Sequence, residues 1–337
     1  MERIRGLAEY VKNKEYREAL GLPKAQMEKY ELLAQGEYNI NYAFTHPMTE
    51  KKLLLRVNCG SQMHLKHQIE YEAHALKLIE CSGRTPKVLY VDGSKKILDH
   101  GVLVMEYLPG HAMDYHTELM LAAPCLADIH SVPVPESEEI LIHPENPLKA
   151  ILEECEEMFK VYLESSLGDE EKKTYIRELL DLGWKREAEI QLESGYQCCI
   201  NTELNSTNFL INGEGKFNYL IDWEKPLFGN PAQDLGHFLA PTTTFWKTDV
   251  ILTKEEIEKF IDAYIKAVGN RFKTDMIREH THAFIPITCL RGITWCAMAW
   301  VQYQQPDKLI FNESTFKKLN AYLDMNFLKN IRTYLES

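Results

Sequence analysis

The feature that most constrains this chain is a change of period near residue 110. Before it, apolar runs of strand length follow one another: "YELLAQ" (30–35), "YNINYAF" (38–44), "KKLLLRVN" (51–58), "KVLYVDG" (87–93) and "HGVLVMEYLPG" (100–110), with turn-rich pieces between them. One long helical pattern interrupts them at 64–81, with Ile69, Ala73, Leu76 and Ile79 on one face. The first 29 residues read as short helices stopped by "GLP" at 21–23, and Pro109–Gly110 closes the last strand. Beyond 110 the pattern turns helical at 117–131, 147–166, 169–193, 254–268, 280–302 and 314–335. Residues 196–222 are the exception, where "YQCCIN", "NFLING" and "FNYLIDW" read as short strands with tight turns. This order predicts an α+β fold in two lobes. Residues 1–108, including a helical segment 1–29, form a small β-rich lobe, and residues 109–337 form a larger helical one.

Charge is uneven along the 337 residues. Residues 1–110 hold 16 Lys and Arg against 14 Asp and Glu, whereas residues 111–337 hold 22 against 36. An acidic larger lobe argues against nucleic acid as a partner, because a phosphate backbone needs the opposite sign. It suits a cationic small molecule, although the solvated faces of helices such as "ILEECEEMF" account for the same charge. No uninterrupted apolar run reaches about 18 residues, so no membrane span is expected. The charged N-terminal stretch lacks the apolar core of a signal peptide. Eight cysteines are scattered without a CxxC, and read as reduced and mostly buried, in a cytoplasmic protein.

The chemistry concentrates in the stretch "NTELNSTNFLI", which carries Glu203 and Asn208, and in "LIDWE", which ends on Asp222 and its neighbours. Asn208 and Asp222 offer hard oxygen ligands suited to Mg²⁺. Glu203 can accept a proton from an attacking hydroxyl. Metal ligands that neutralise phosphates, beside a carboxylate that orients the nucleophile, are what phosphoryl transfer requires. In the first lobe, Gly36 opens a turn between strands where a backbone N–H can approach an anion. Arg56 sits within an apolar strand and needs an acidic partner: Glu72 on the following helix, or failing that Glu70. His237 reads as a helix-start or packing residue, and Cys198–Cys199 as strand core. Trp295, Trp300 and Tyr303 either pack helices or line a cage for a cation.

The pieces "AQGEYNINYAF", "LLLRV", "YEAHALKLI", "VLVMEYLPG", "CLADIHSVP", "NTELNSTNFLI" and "YLIDWEKPLFGNPAQDLGHFL" resemble, in order and spacing, the aminoglycoside phosphotransferase and choline kinase family, with its protein-kinase-like fold. The resemblance runs over nearly the whole chain. It implies Gly36 and Asn39 in the nucleotide-phosphate loop, Arg56 in place of the strand lysine and Glu72 as its helix partner. It implies a hinge at Glu106 and Leu108 whose backbone binds the purine. Glu203 falls where the family has its catalytic aspartate, and Asn208 and Asp222 where it binds metal. Asp234 matches the acid that braces the loop. ATP, with GTP the lesser alternative, Mg²⁺ and a small-molecule hydroxyl acceptor follow from the same resemblance. The family loop reads HGDxxxxN where this chain has "NTELNSTN", so Asn201, Thr202 and Glu203 depart from it. An alternative reading follows from that departure: a catalytically weak nucleotide-binding or regulatory protein.

Overall fold

The computed structural model describes residues 3–36, 38–190, 192, 195–305 and 313–336. The chain opens with two short helices, α1 (Leu7–Tyr10) and α2 (Lys14–Leu20). Asn13 caps α2, and Gly21 ends it in a left-handed conformation. Strands β1 (Glu31–Gln35), β2 (Asn39–Thr45) and β3 (Lys52–Asn58) follow, then α3 (Gln68–Ile79), β4 (Val88–Asp92) and β5 (Gly101–Glu106). The five strands form one antiparallel sheet in the order β1-β2-β3-β5-β4.

The period-2 pattern decides what each face of this sheet meets. Leu53, Leu55, Val57, Val102 and Val104 face outward onto Leu7, Tyr10, Val11 and Tyr16 of the N-terminal segment. Leu103 and Met105 face the other way, onto α3 and the helical core. The N-terminal segment is fastened by Tyr10, whose hydroxyl donates to Asp92 at 2.6 Å. The buried pair Arg17–Glu28 is also part of it, with further Arg17 bonds to the Val11, Pro23 and Ala25 carbonyls.

After β6 (His111–Ala112) come α4 (Leu119–His130), α5 (Pro147–Glu164) and α6 (Glu170–Glu189). The expected helix 169–193 thus stops at Glu189, and its positions 191 and 193 lie outside the described residues. Strands β7 (Cys198–Ile200), β8 (Phe209–Ile211), β9 (Tyr219–Leu220) and β10 (Leu227–Gly229) build two small sheets, β10-β7 and β6-β8-β9. The chain closes with α7 (Pro231–Leu239), α8 (Pro241–Lys247), α9 (Lys254–Val268), α10 (Ile277–Tyr303), α11 (Glu313–Tyr322) and α12 (Met325–Glu336). The single last helix expected at 314–335 is two helices, broken at Leu323–Asp324, where the Asp324 side chain accepts the Asn326 N–H. Neither β6 and β10 nor α8 was foreseen; the two strands are only two and three residues long and carry too little pattern to read.

Helix α10 is the spine of this half, packed chiefly against α5 and α7. It is the one helix among the described residues long and apolar enough to cross a membrane by composition, yet most of it is buried within the protein. At its crossing with α7 the backbones come so close that a Cβ on Gly236 would meet Phe284 Cβ at 2.4 Å. Asp234, two residues earlier, meets the loop that follows β7. All eight cysteines are free thiols.

Candidate active site

Arg56 is on the inner face of β3, 6% exposed, and Glu72 on α3 is 1% exposed. The guanidinium donates to Glu72 Oε1 at 2.5 Å, to Asp222 Oδ1 at 3.1 Å and to Asn41 Oδ1 at 3.1 Å. Glu72, not Glu70, is therefore the partner. Burial disfavours the Arg56 cation, but Glu72, Asp222 and Glu224 outweigh it and raise its pKa. Burial pushes the Glu72 carboxyl up to about 7 against the pull of Arg56, with Asp222 adding to the rise.

The loop after β7 is built around Asp234. Its carboxylate accepts the Asn201 N–H at 2.8 Å, the Thr202 N–H at 2.7 Å and His130 Nε2 at 3.1 Å. His130 in turn meets the Tyr264 hydroxyl at 2.9 Å. Asn201 then links the two acids: its Nδ2 donates to the Asp222 carbonyl at 2.8 Å, and its Oδ1 accepts the Glu203 N–H at 3.1 Å. Thr202 has a φ of 66°, a left-handed conformation unusual for a β-branched residue. Its hydroxyl bonds the Lys225 carbonyl at 2.6 Å. Asp222 is also left-handed, with φ 67°. Asn208 Nδ2 donates to the Glu203 carbonyl at 3.1 Å, and the Asn208 carbonyl accepts the Ile221 N–H at 2.9 Å. The structure thus brings Glu203, Asn208, Asp222, Asp234, Arg56 and Glu72 together.

The remaining expected residues are placed as follows. Gly36 is in the β1–β2 turn, but its N–H donates to the Asn39 carbonyl at 2.9 Å and is engaged within the turn. A Cβ there would meet only an ordinary contact, so the position does not require glycine. Asn39 is buried, accepts from Asn58 and donates to Glu224. At the end of β5, the Glu106 N–H donates to the Lys87 carbonyl, whereas the Leu108 backbone has no hydrogen bond among the described residues.

Four residues were missed by the sequence reading. Glu224 lies two residues past Asp222, and burial, with Asp222 and Glu203 nearby, pushes it up to about 8. It lies beyond β9 in irregular backbone, where no period relates it to Asp222. Arg291 on α10 donates to Glu203 Oε1 at 3.1 Å and to Glu154 Oε2 at 3.0 Å. Glu154 also accepts from Lys225 at 2.8 Å. Burial resists the ionised form of Glu154, but Arg291 and Lys225 hold its carboxyl down at about 2.

Glu203 opens onto a cavity of about 380 Å³ also lined by Trp246, Trp295, Tyr303, Thr242, Glu224 and Arg291. Trp295 stands edge-on to Trp246 at 5.2 Å. Trp300 does not line it; its ring meets Tyr162 and its Nε1 bonds Asn320. His237, on α7, borders the cavity, and burial, followed by Arg291 and Lys225, drives its pKa down to about 3.

A five-stranded sheet with one bracing helix, joined to a helical half that carries an acid-loop-asparagine and a strand-end aspartate, defines a protein-kinase-like fold. The family model of the phosphotransferase enzyme family matches residues 29–279. The chain belongs to that family, one of phosphotransferases that act on the hydroxyl groups of small molecules. Among solved structures it is similar to a spectinomycin phosphotransferase in complex with ADP and spectinomycin (TM-score 0.65, 16% identity, covering 99% of this chain and 98% of that one). It is also similar to a Plasmodium vivax ethanolamine kinase (0.65, 15%, 97% and 89%). A choline kinase from Cryptosporidium parvum Iowa II is alike as well (0.64, 13%, 99% and 93%). No curated protein sequence matches the chain.

Proposed function

We propose that this protein transfers the γ-phosphate of ATP, with Mg²⁺, to a hydroxyl of a small acceptor bound in the cavity beside Glu203. The observation that carries the reading is the joint held by Arg56, which ties the bracing Glu72 of the first lobe to the strand-end Asp222 of the second. In this reading Arg56 meets phosphate oxygens and the backbone of Leu108 meets the base.

The donor set fits Mg²⁺. Among the described residues neither Asn208 Oδ1 nor Asp222 Oδ2 carries a hydrogen bond, and both are hard oxygens. Among the described residues no cluster of three or more His, Cys, Asp or Glu forms a complete metal site. That agrees with a cation held by a few protein groups and completed by substrate phosphates. Bound there, Mg²⁺ would neutralise phosphate charge; Glu203 orients the acceptor hydroxyl and takes its proton.

The aromatic wall beside Glu203 favours a cationic acceptor, the class to which the amino alcohols and aminoglycosides belong, and a bound cation would draw Glu224 toward its ionised form. The weaker-catalyst reading draws support from one observation, the tie between Glu203 and Arg291, which occupies one carboxylate oxygen.

Thermal unfolding with ATP, with and without Mg²⁺, tests the nucleotide site. A ligand at a hundred times its dissociation constant adds about 2.7 kcal/mol to the folded state. Stabilisation that grows with Mg²⁺, and loses that growth in Asp222→Asn, supports the site; an unmoved midpoint refutes it. Glu203→Gln then separates the two readings. A fall of about a hundredfold or more in turnover with ATP affinity kept supports the kinase. Equal trace turnover in both forms supports the weak catalyst.

A further inference from the structure

We infer that Arg291 is a positioning residue for Glu203, the device by which this chain uses a glutamate where its family has an aspartate. The inference rests on the proposed reading of Glu203 as the carboxylate that orients the acceptor. The longer side chain carries its carboxylate about one ångström further from the loop, and a misplacement of that size costs about a hundredfold in rate. Something must therefore fix the far end.

Arg291 is built for that. It comes from α10, a rigid helix rather than the loop itself, and its side chain is 15% exposed. Nη2 reaches Glu203 Oε1 at 3.1 Å, while Nε holds Glu154 Oε2 at 3.0 Å, so the guanidinium plane is set from α5 before it meets the loop. Glu154 is itself held by Lys225, whose carbonyl accepts the Thr202 hydroxyl. The chain Thr202–Lys225–Glu154–Arg291–Glu203 thus leaves the loop at one residue and returns at the next.

The charges also balance. Glu154 and Glu203 stand against Lys225 and Arg291, so Arg291 holds Glu203 without leaving an unmatched cation beside it. Only Oε1 is engaged; Glu203 Oε2 has no hydrogen bond among the described residues and is the oxygen available to a hydroxyl. A single arginine in an otherwise uncharged and mostly buried stretch, "ITCLRGITWC", is difficult to explain by packing alone.

The test uses the full chain, MgATP as substrate and water as acceptor, with ADP formation and MgATP binding both measured. The proteins are wild type, Arg291→Ala, Arg291→Lys, Glu203→Asp and the Arg291→Ala/Glu203→Asp pair. Arg291→Ala is expected to lower kcat by about a hundredfold with KM for ATP within about twofold. Added guanidinium ion at tens of millimolar should recover about tenfold of that loss, a response that a merely structural role does not give. In the Glu203→Asp background, where the shorter acid falls short of the guanidinium, the same substitution should cost only about threefold, which a double-mutant cycle reads directly. If Arg291→Ala does not fold, Arg291→Lys keeps the charge without the fork and should lose about tenfold. Equal losses in both backgrounds without rescue, or losses below about twofold in both variants, overturn the inference and leave Arg291 as a brace between helices. A wild type that binds no MgATP and forms no ADP fails differently: it refutes the kinase reading, and this inference with it.

Discussion

Replacing Glu154 by glutamine removes one charge while keeping the side chain's shape, and its effect on stability can be worked from the structure. The carboxyl is held at about 2 against an ordinary 4.5, chiefly by Arg291 and Lys225 acting against burial. At about 1.4 kcal/mol per pKa unit this corresponds to roughly 3 kcal/mol at neutral pH. The side chain is 32% exposed, so solvent screening reduces that to about 1–2 kcal/mol. Because the folded-state value is depressed, the contribution is fully present above about pH 4.5 and is lost as pH falls toward 2. Urea unfolding of wild type and Glu154→Gln across pH 7 to 3 is the assay. The gap between the two proteins should be about 1–2 kcal/mol at pH 7 and should narrow steadily below pH 4.5, as wild-type Glu154 takes up its own proton. A gap independent of pH would show that glutamine disturbs packing or hydrogen bonding rather than charge. No gap at pH 7 would show that Arg291 and Lys225 do not depend on Glu154 at all.

Two further predictions concern stability. Arg17→Met leaves Glu28 buried without its cation and should destabilise the protein by about 3–5 kcal/mol, read as a lowered urea midpoint, while the double change Arg17→Met/Glu28→Leu recovers much of it. Thr202→Val keeps the left-handed strain but drops the bond to the Lys225 carbonyl, and should cost about 1–2 kcal/mol. Thr202→Gly relieves the strain as it loses the bond, and should stay within about 1 kcal/mol of wild type by thermal unfolding.

Much of this was legible because local pattern and global need coincide. Helix α9 runs over Lys254–Val268 as expected, since "LTKEE" supplies a capping box between Thr253 and Glu256. The Arg56–Glu72 pair was legible from the cost of an unpartnered guanidinium in a strand. The same argument applied to Arg291 would have demanded an acid, but nothing local says which. Its partners Glu154 and Glu203 lie 137 and 88 positions away, on another helix and a loop. Asn201 looked like a lost histidine in the sequence, whereas in the structure its amide has two ends to give and joins Asp222 to Glu203.

The N-terminal segment has a consequence for how the chain assembles. Its apolar side chains cover strands that are made much later: Tyr10 is fastened to Asp92, and Leu7 and Val11 share a cluster with Val102 and Val104. A ribosome that delivers this chain therefore releases the cover before the surface it must cover. Until β4 and β5 emerge, Leu7, Tyr10, Val11 and Tyr16 lack part of the surface they cover and are open to wrong partners.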